Sequence, residues 1–290
     1  MPMKWLRPKS HPQTHLLAPV RAPQRHQADA WGVGGLLLGL CVALVWFAPA
    51  RWVGMALAQA TGQRVLLTQA QGFWWQGEAG LALAGGAGAQ DRAALAGKLS
   101  WRLRPSSQGV QVQLRADCCM PSPWQISLHP RWSGGLTLEV QLQAHQSQWP
   151  ASLLVGLGTP WNTLQLQAGV HLQTQGLRLL LQQGRVQTEG EMVLELRDAS
   201  SRLSTIQPMG TYRLVWQGAG VERRSDSRSD TLSLSTVQGA LQLQGQGQWL
   251  AGRLRFSGEA QAAPGREEAL SNLMNILGRR QGPKTLIQIG

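Results

Sequence analysis

The chain has 290 residues, 43% hydrophobic and 14% charged, and its 27 Lys+Arg against 15 Asp+Glu give a formal net charge of +12. A charged fraction well below the usual ~25%, with that apolar content, excludes a highly charged disordered chain. Three cysteines exclude a disulfide-stapled mini-protein, and a single long apolar segment excludes a polytopic membrane protein.

Residues 1–30 read as a disordered basic tail on the cytoplasmic side. Five prolines, three histidines and five Lys/Arg stand against one acid, Asp29. Prolines remove backbone donors, and little apolar surface is available to bury. From 31 to 50 no charge occurs, and this segment is predicted to be a transmembrane anchor. About 20 apolar residues in a helix span ~30 Å of hydrocarbon. The anchoring side chains are Trp31, Leu36, Leu37, Leu38, Leu40, Val42, Leu44, Val45, Trp46 and Phe47. Trp31 and Trp46 stand at its ends, where indole rings favour the headgroup level. Five basic residues upstream, with Arg51 alone just downstream, place the amino terminus in the cytoplasm and the rest of the chain outside it. Ala48-Pro49-Ala50 imitates a signal-peptide cleavage site. The apolar run exceeds the usual ~7–15 residues and the basic region before it is too long, so an uncleaved anchor is the reading. Residues 51–63, with Trp52, Met55 and Leu57 closed by Gly62, read as a short helical linker.

Residues 64–290 are predicted to form one β-rich domain. Alternation recurs at Gln111–Leu114, Leu136–Gln143, Leu164–Gln167, Val193–Arg197, Leu232–Ser235 and Leu241–Gln244, with Leu or Val on one face and polar groups on the other. Strands buried on both faces would be continuously apolar, and no helical stretch is expected between these, so the sheet is antiparallel and half-buried. Turns are read at Gly109, Gly134-Gly135, Gly176, Gly184, Gly190, Gly210, Gly239 and Gly252. Twelve to fourteen strands between residues 64 and 262 must curl into a trough, barrel-like or sandwich form, since open twisted sheets rarely exceed ~10 strands. One amphipathic helix follows. Glu267 and Glu268 sit in its first turn, Leu270, Leu273, Met274 and Leu277 form its stripe, Gly278 is read as its cap, and Arg279 and Arg280 follow. A final strand, Thr285–Ile289, is expected to return to the sheet.

No catalytic, cofactor or metal motif is read in the sequence. His129, His145 and His171 are far apart, and His129 with the cysteines lacks a fourth zinc ligand. Glu189, Glu191 and Glu195 share an alternating face and read as solvated rather than as a carboxylate pair. Cys118 and Cys119 read as a vicinal disulfide or two quiet thiols. The basic excess is scattered and the plentiful tryptophans sit in separate strands, so nucleic acid is not an expected partner; attraction to an anionic lipid bilayer or to acidic partner faces explains the excess better.

Several segments resemble one family. They are Gly72-Phe73-Trp74-Trp75-Gln76-Gly77-Glu78-Ala79, Leu99-Ser100-Trp101-Arg102-Leu103-Arg104-Pro105, Gly210-Thr211-Tyr212-Arg213-Leu214, Leu241 to Leu250, Arg253 to Ala260 with Gly258, and the helix ending Leu277-Gly278. In this order behind a lone anchor, they resemble protein N of the bacterial type II secretion system. The resemblance implies a non-catalytic, single-pass inner-membrane subunit with a periplasmic domain, acting as a scaffold or assembly component in export of folded proteins across the outer membrane. It implies other platform subunits as partners. The motif residues Gly72, Trp75, Gly77, Trp101, Pro105, Gly210, Tyr212, Gly258, Leu277 and Gly278 are read as structural. The competing reading is an anchored periplasmic lipid-binding or lipid-transfer protein with an apolar β-trough.

Overall fold

The computed structural model describes residues 25–132, 135–182, 185–220, 229–250 and 253–290. The chain forms two compact units, 1–46 and 47–290.

In the first unit a helix, α1, runs Arg25–Trp46. It begins inside the segment read as a disordered tail: Pro23 is the last proline before Pro49, so nothing interrupts a helix between them. Residues 1–24 lie outside the described residues. At its other end the helix stops at Trp46, short of residue 50, where the anchor was expected to end. The Ala48 carbonyl accepts from Trp74 N–H at 3.0 Å, Ala50 N–H donates to the Gly72 carbonyl at 3.0 Å, and Pro49 bridges to Phe73, so these residues join the sheet instead. Among the described residues no helix is long and apolar enough to cross a membrane. The side chains described on α1 run from Trp31 to Trp46 and are exposed.

The second unit opens with α2 (Arg51–Ala60) and a strand meander. In chain order its first strands are β1 (Val65–Phe73), β2 (Gln76–Ala84), β3 (Arg92–Ser106), β4 (Gly109–Ala116), β5 (Trp124–Trp132), β6 (Leu136–Leu142) and β7 (His145–Pro150). A 3-10 segment (Ala151–Leu157) and the one-turn α3 (Trp161–Leu164) follow. Next come β8 (Gln167–Gln182), β9 (Arg185–Ser200), β10 (Gly210–Gln217), β11 (Thr231–Gly239), β12 (Leu241–Leu250) and β13 (Arg253–Ala262), then α4 (Glu267–Leu277), β14 (Arg279–Gln281) and β15 (Lys284–Ile289). The period-two alternation therefore yields thirteen strands before α4.

All pairs are antiparallel, in the order β1 to β6, β8 to β13, β15, β14, with β7 pairing β8 beside the path. The sheet is not closed: β1 and β14 end the path. The last strand pairs with β13, placing Ile287 opposite Gly258.

Three local readings are corrected. Gly176 and Gly190 lie inside the 16-residue strands β8 and β9 rather than in turns, where the register slips between Thr174 and Leu177. They mark a bulge in a long hairpin. Leu164–Gln167 is not a strand start. Leu164 ends α3, its side chain is buried in the core and its carbonyl accepts from Ser201 Oγ at 2.6 Å, and these tertiary contacts outweigh a four-residue alternation. Helical segments do interrupt the strands at 151–164, because Ala151, Leu153 and Gly156 are buried against the sheet rather than alternating along it. Gly134, Gly184 and Gly252 lie outside the described residues.

The alternation gives the sheet one apolar face, and helical segments cover parts of it. Around α2, Ala50 and Val53 pack with Ala79, Trp101 and Leu67. The 3-10 segment sets Leu153 among Leu95, Ala116 and Met120, and it touches β2 and β3 as well as β8, which requires the sheet to curl. Under α4, Leu270, Leu273 and Met274 pack with Ala199, Tyr212, Leu241 and Ala260. Each fully buried side chain of this kind contributes about 1.5–3 kcal/mol.

An antiparallel meander also sorts its connections by end. Phe73 opposite Gln76, Ser106 opposite Gly109, Trp132 opposite Leu136, Gln182 opposite Arg185, Gln217 opposite Thr231 and Leu250 opposite Arg253 all fall at one end, the tip end. The 3-10 segment, α3 and α4 follow strands running the other way and mark the plug end.

Candidate functional site

The motif residues fall into two groups at opposite edges of the sheet. In the first, Gly77 on β2 lies opposite Trp101 on β3. A Cβ on Gly77 would stand 2.6 Å from Cζ2 of the Trp101 ring and 2.7 Å from the Gln71 carbonyl, so only glycine lets the buried indole lie against the strand. Trp101 Nε1–H donates to the Trp74 carbonyl at 3.0 Å, which satisfies its one polar group. Trp75, in the β1–β2 turn, stacks on Phe73 with ring centroids 5.8 Å apart, and its carbonyl accepts from Leu103 N–H at 2.7 Å. Gly72 pairs with Gly77, and Pro105 faces Val110 near the end of β3.

The second group surrounds α4. Tyr212 is buried in that core, its hydroxyl has no partner among the described residues, and burial pushes its phenol well above the ordinary value. Gly210 begins β10 beside that hydroxyl, and Gly258 sits opposite Gly245. Leu277 packs on the core, but Gly278 is not a left-handed cap. Its φ of 175° is extended backbone; a Cβ there would stand 2.0 Å from the Leu286 carbonyl, so the position serves close approach of the chain to β15. Arg279 and Arg280 likewise leave the helix for β14 instead of lying at its negative end.

The polar face holds clasped acids. Glu139, its side chain 8% exposed, is bound by Arg131 at 3.0 Å and Arg178 at 3.3 Å, and Gln141 Nε2–H donates to it at 2.7 Å. The Gln141 hydrogen bond, aided by the arginines, holds its carboxyl below the usual value against the opposing effect of burial. Glu195 lies between Arg197 at 2.8 Å and Arg213 at 3.0 Å and is lowered by those hydrogen bonds. The expectation of a solvated glutamate face is thus corrected at Glu195, 14% exposed; Glu189 pairs with Arg178. Register completes the clasps: β10 sets Arg213 beside Glu195, which Arg197 holds from two residues along β9, and β8 sets Arg178 beside Glu189. Glu259 is held by Lys284 and Gln244, again with its carboxyl lowered. Acids clasped in this way are held ionised and are poor proton donors.

His145 is buried and stacked on Trp124 at 5.0 Å, and burial lowers its pKa; His171 is also lowered by burial and by Arg197. His129 Nδ1 lies 3.0 Å from the Gln108 carbonyl. Among the described residues no group of three His, Cys, Asp or Glu is placed to hold a metal. Cys118 and Cys119 form a disulfide beside a groove of about 350 Å³, which His171 and Arg197 also line. The sequence left that pairing open and gave no sign that these four residues meet.

Between its helical covers the apolar face remains partly solvated. Leu128, Leu138, Val140, Leu179, Leu194 and Leu214 share it through consecutive pairings, are half-buried and belong to no buried cluster. The arrangement as a whole offers a broad polar surface and an incompletely covered apolar one.

A family model described as type II secretion system (T2SS), protein N, matches residues 63–286, from just before β1 into β15. No curated protein and no solved structure matches the chain.

Proposed function

The chain belongs to the type II secretion system protein N family, and on that premise we propose that it is a non-catalytic scaffold subunit of the secretion platform in the inner membrane. The observation that carries this reading is the fifteen-strand sheet, whose polar face is a field of glutamines and clasped acids rather than a reactive cluster. A surface of that kind suits broad contact with other subunits, and the sheet edges suit strand addition.

In this proposal α1 anchors the chain in the inner membrane, with the amino terminus in the cytoplasm and the sheet in the periplasm. The exposed apolar side chains from Trp31 to Phe47, and the five basic residues before them, support that placement. Capture of the full chain from cross-linked cells is expected to recover other platform subunits of the secretion machinery. Recovery of unrelated envelope proteins alone would reject the scaffold role.

A second reading rests on the half-buried leucines of the inner face, which would suit acyl chains. It expects stoichiometric phospholipid on the purified full chain by native mass spectrometry. Lipid-free protein that still captures platform subunits leaves the scaffold reading alone.

A further inference from the structure

We propose that the tip end of the sheet docks on the surface of an anionic phospholipid bilayer, deepening the anchored reading above, on which it rests. Most of the large apolar side chains exposed in the second unit gather at one end. At the tips stand Phe73 and Trp74 of the β1–β2 hairpin, Trp132 and Leu136 at the meeting of β5 and β6, and Leu181 and Val186 at that of β8 and β9. Trp132 is 84%, Leu136 59% and Val186 61% exposed. Ile289, closing β15, falls at the same end. Among the described residues from 47 onward, Val237 and Ile276 are comparable near the plug end, and Trp52 and Met55 are exposed on α2.

These tips come from hairpins spread across the sheet; Leu136, Leu181 and Val186 continue its apolar face out to the tip end. Their shared property is distance from the plugs. Exposed apolar tips are costly in water and find a natural medium at a headgroup boundary, where indole rings are favoured.

Two observations select a bilayer as the occupant. First, the chain enters the second unit at this end: Phe47, 64% exposed, is followed directly by Ala48 and Pro49, which bond to Trp74 and Phe73 of the first tip. The second unit therefore begins at its rim. Second, the exposed Arg104 and Arg253 stand beside the tips, where they complement anionic headgroups. The seated rim would lie about 5–10 Å into the headgroup and acyl boundary.

The test uses the full chain with Cys41→Ala, reconstituted in vesicles of phosphatidylethanolamine and phosphatidylglycerol. An environment-sensitive thiol fluorophore is attached at Leu136→Cys or Val186→Cys on the rim, or at Asn275→Cys on α4. Circular dichroism confirms that each variant keeps the strand spectrum. The expected result is blue-shifted emission at 136 and 186, quenched by brominated acyl chains, with neither effect at 275. Rim probes that report water while the chain resists alkaline carbonate would overturn the docking and leave the anchor standing. Release of the chain by carbonate would overturn both. A blue shift that brominated lipid does not quench would mean a protein covers the rim, and would overturn the proposal as well.

Discussion

Gly77 and Trp101 show how one missing Cβ fixes a core. The ring occupies the space that any side chain at 77 would need, so Gly77→Val forces a strand or the indole to move. Such overpacking costs about 1–3 kcal/mol, read as a lower urea midpoint, whereas Gln76→Val at the exposed neighbour stays within ~0.5 kcal/mol. Glu139 and Glu195 carry a pH signature. Their folded carboxyls are held below the unfolded value of ~4.3, so the unfolded chain binds more protons in the acid range. Their contribution is full above that unfolded value and is lost as pH falls through the folded ones. The thermal stability of the wild type is expected to fall steadily below about pH 4.3. Glu139→Gln should flatten that slope and lower stability at neutral pH by ~1 kcal/mol, a modest figure because both arginines remain about half-exposed or more. Neither Trp101's position nor the arginine clasps were legible in the sequence, because strand partners lie up to tens of residues apart and a motif does not state its register.

At the scale of elements, period two identified the strands and period 3.6 identified α4, since each reports only a local face. The helical covers were harder to foresee. Ala151–Leu157 is a short apolar run that fits neither period, and its burial depends on β2, β3 and β8 arriving around it. Gly176 and Gly190 looked like turn residues because a bulge and a turn demand the same backbone freedom. The α4 cover is the element whose loss should matter most. Leu270 is fully buried at its centre, and Leu270→Ala is expected to cost about 2–5 kcal/mol in chemical denaturation. Ile276→Ala, on the exposed side of the same helix, should cost well under half as much. Equal losses at the two positions would mean that α4 is covered on both sides.

For the whole molecule, the proposed membrane-held scaffold rests on membership of the secretion family, the one-sided sheet and the uncharged segment. Replacing Leu37 and Leu40 by arginine puts two charges into that segment, each unfavourable by ~2.5–3.5 kcal/mol at a bilayer centre. The double variant is expected in the carbonate-soluble fraction, and a variant that stays with the membrane would remove the proposed anchor. The amino-acid order by itself determined the family segments, the strand count and the existence of one apolar face, because these follow from side-chain type at short spacing. Tertiary structure alone decided which parts of that face are covered, which acids are clasped and which apolar tips gather at one end. Those outcomes depend on register accumulated over fifteen strands and on the parity of hairpin turns, quantities that no short stretch of sequence contains.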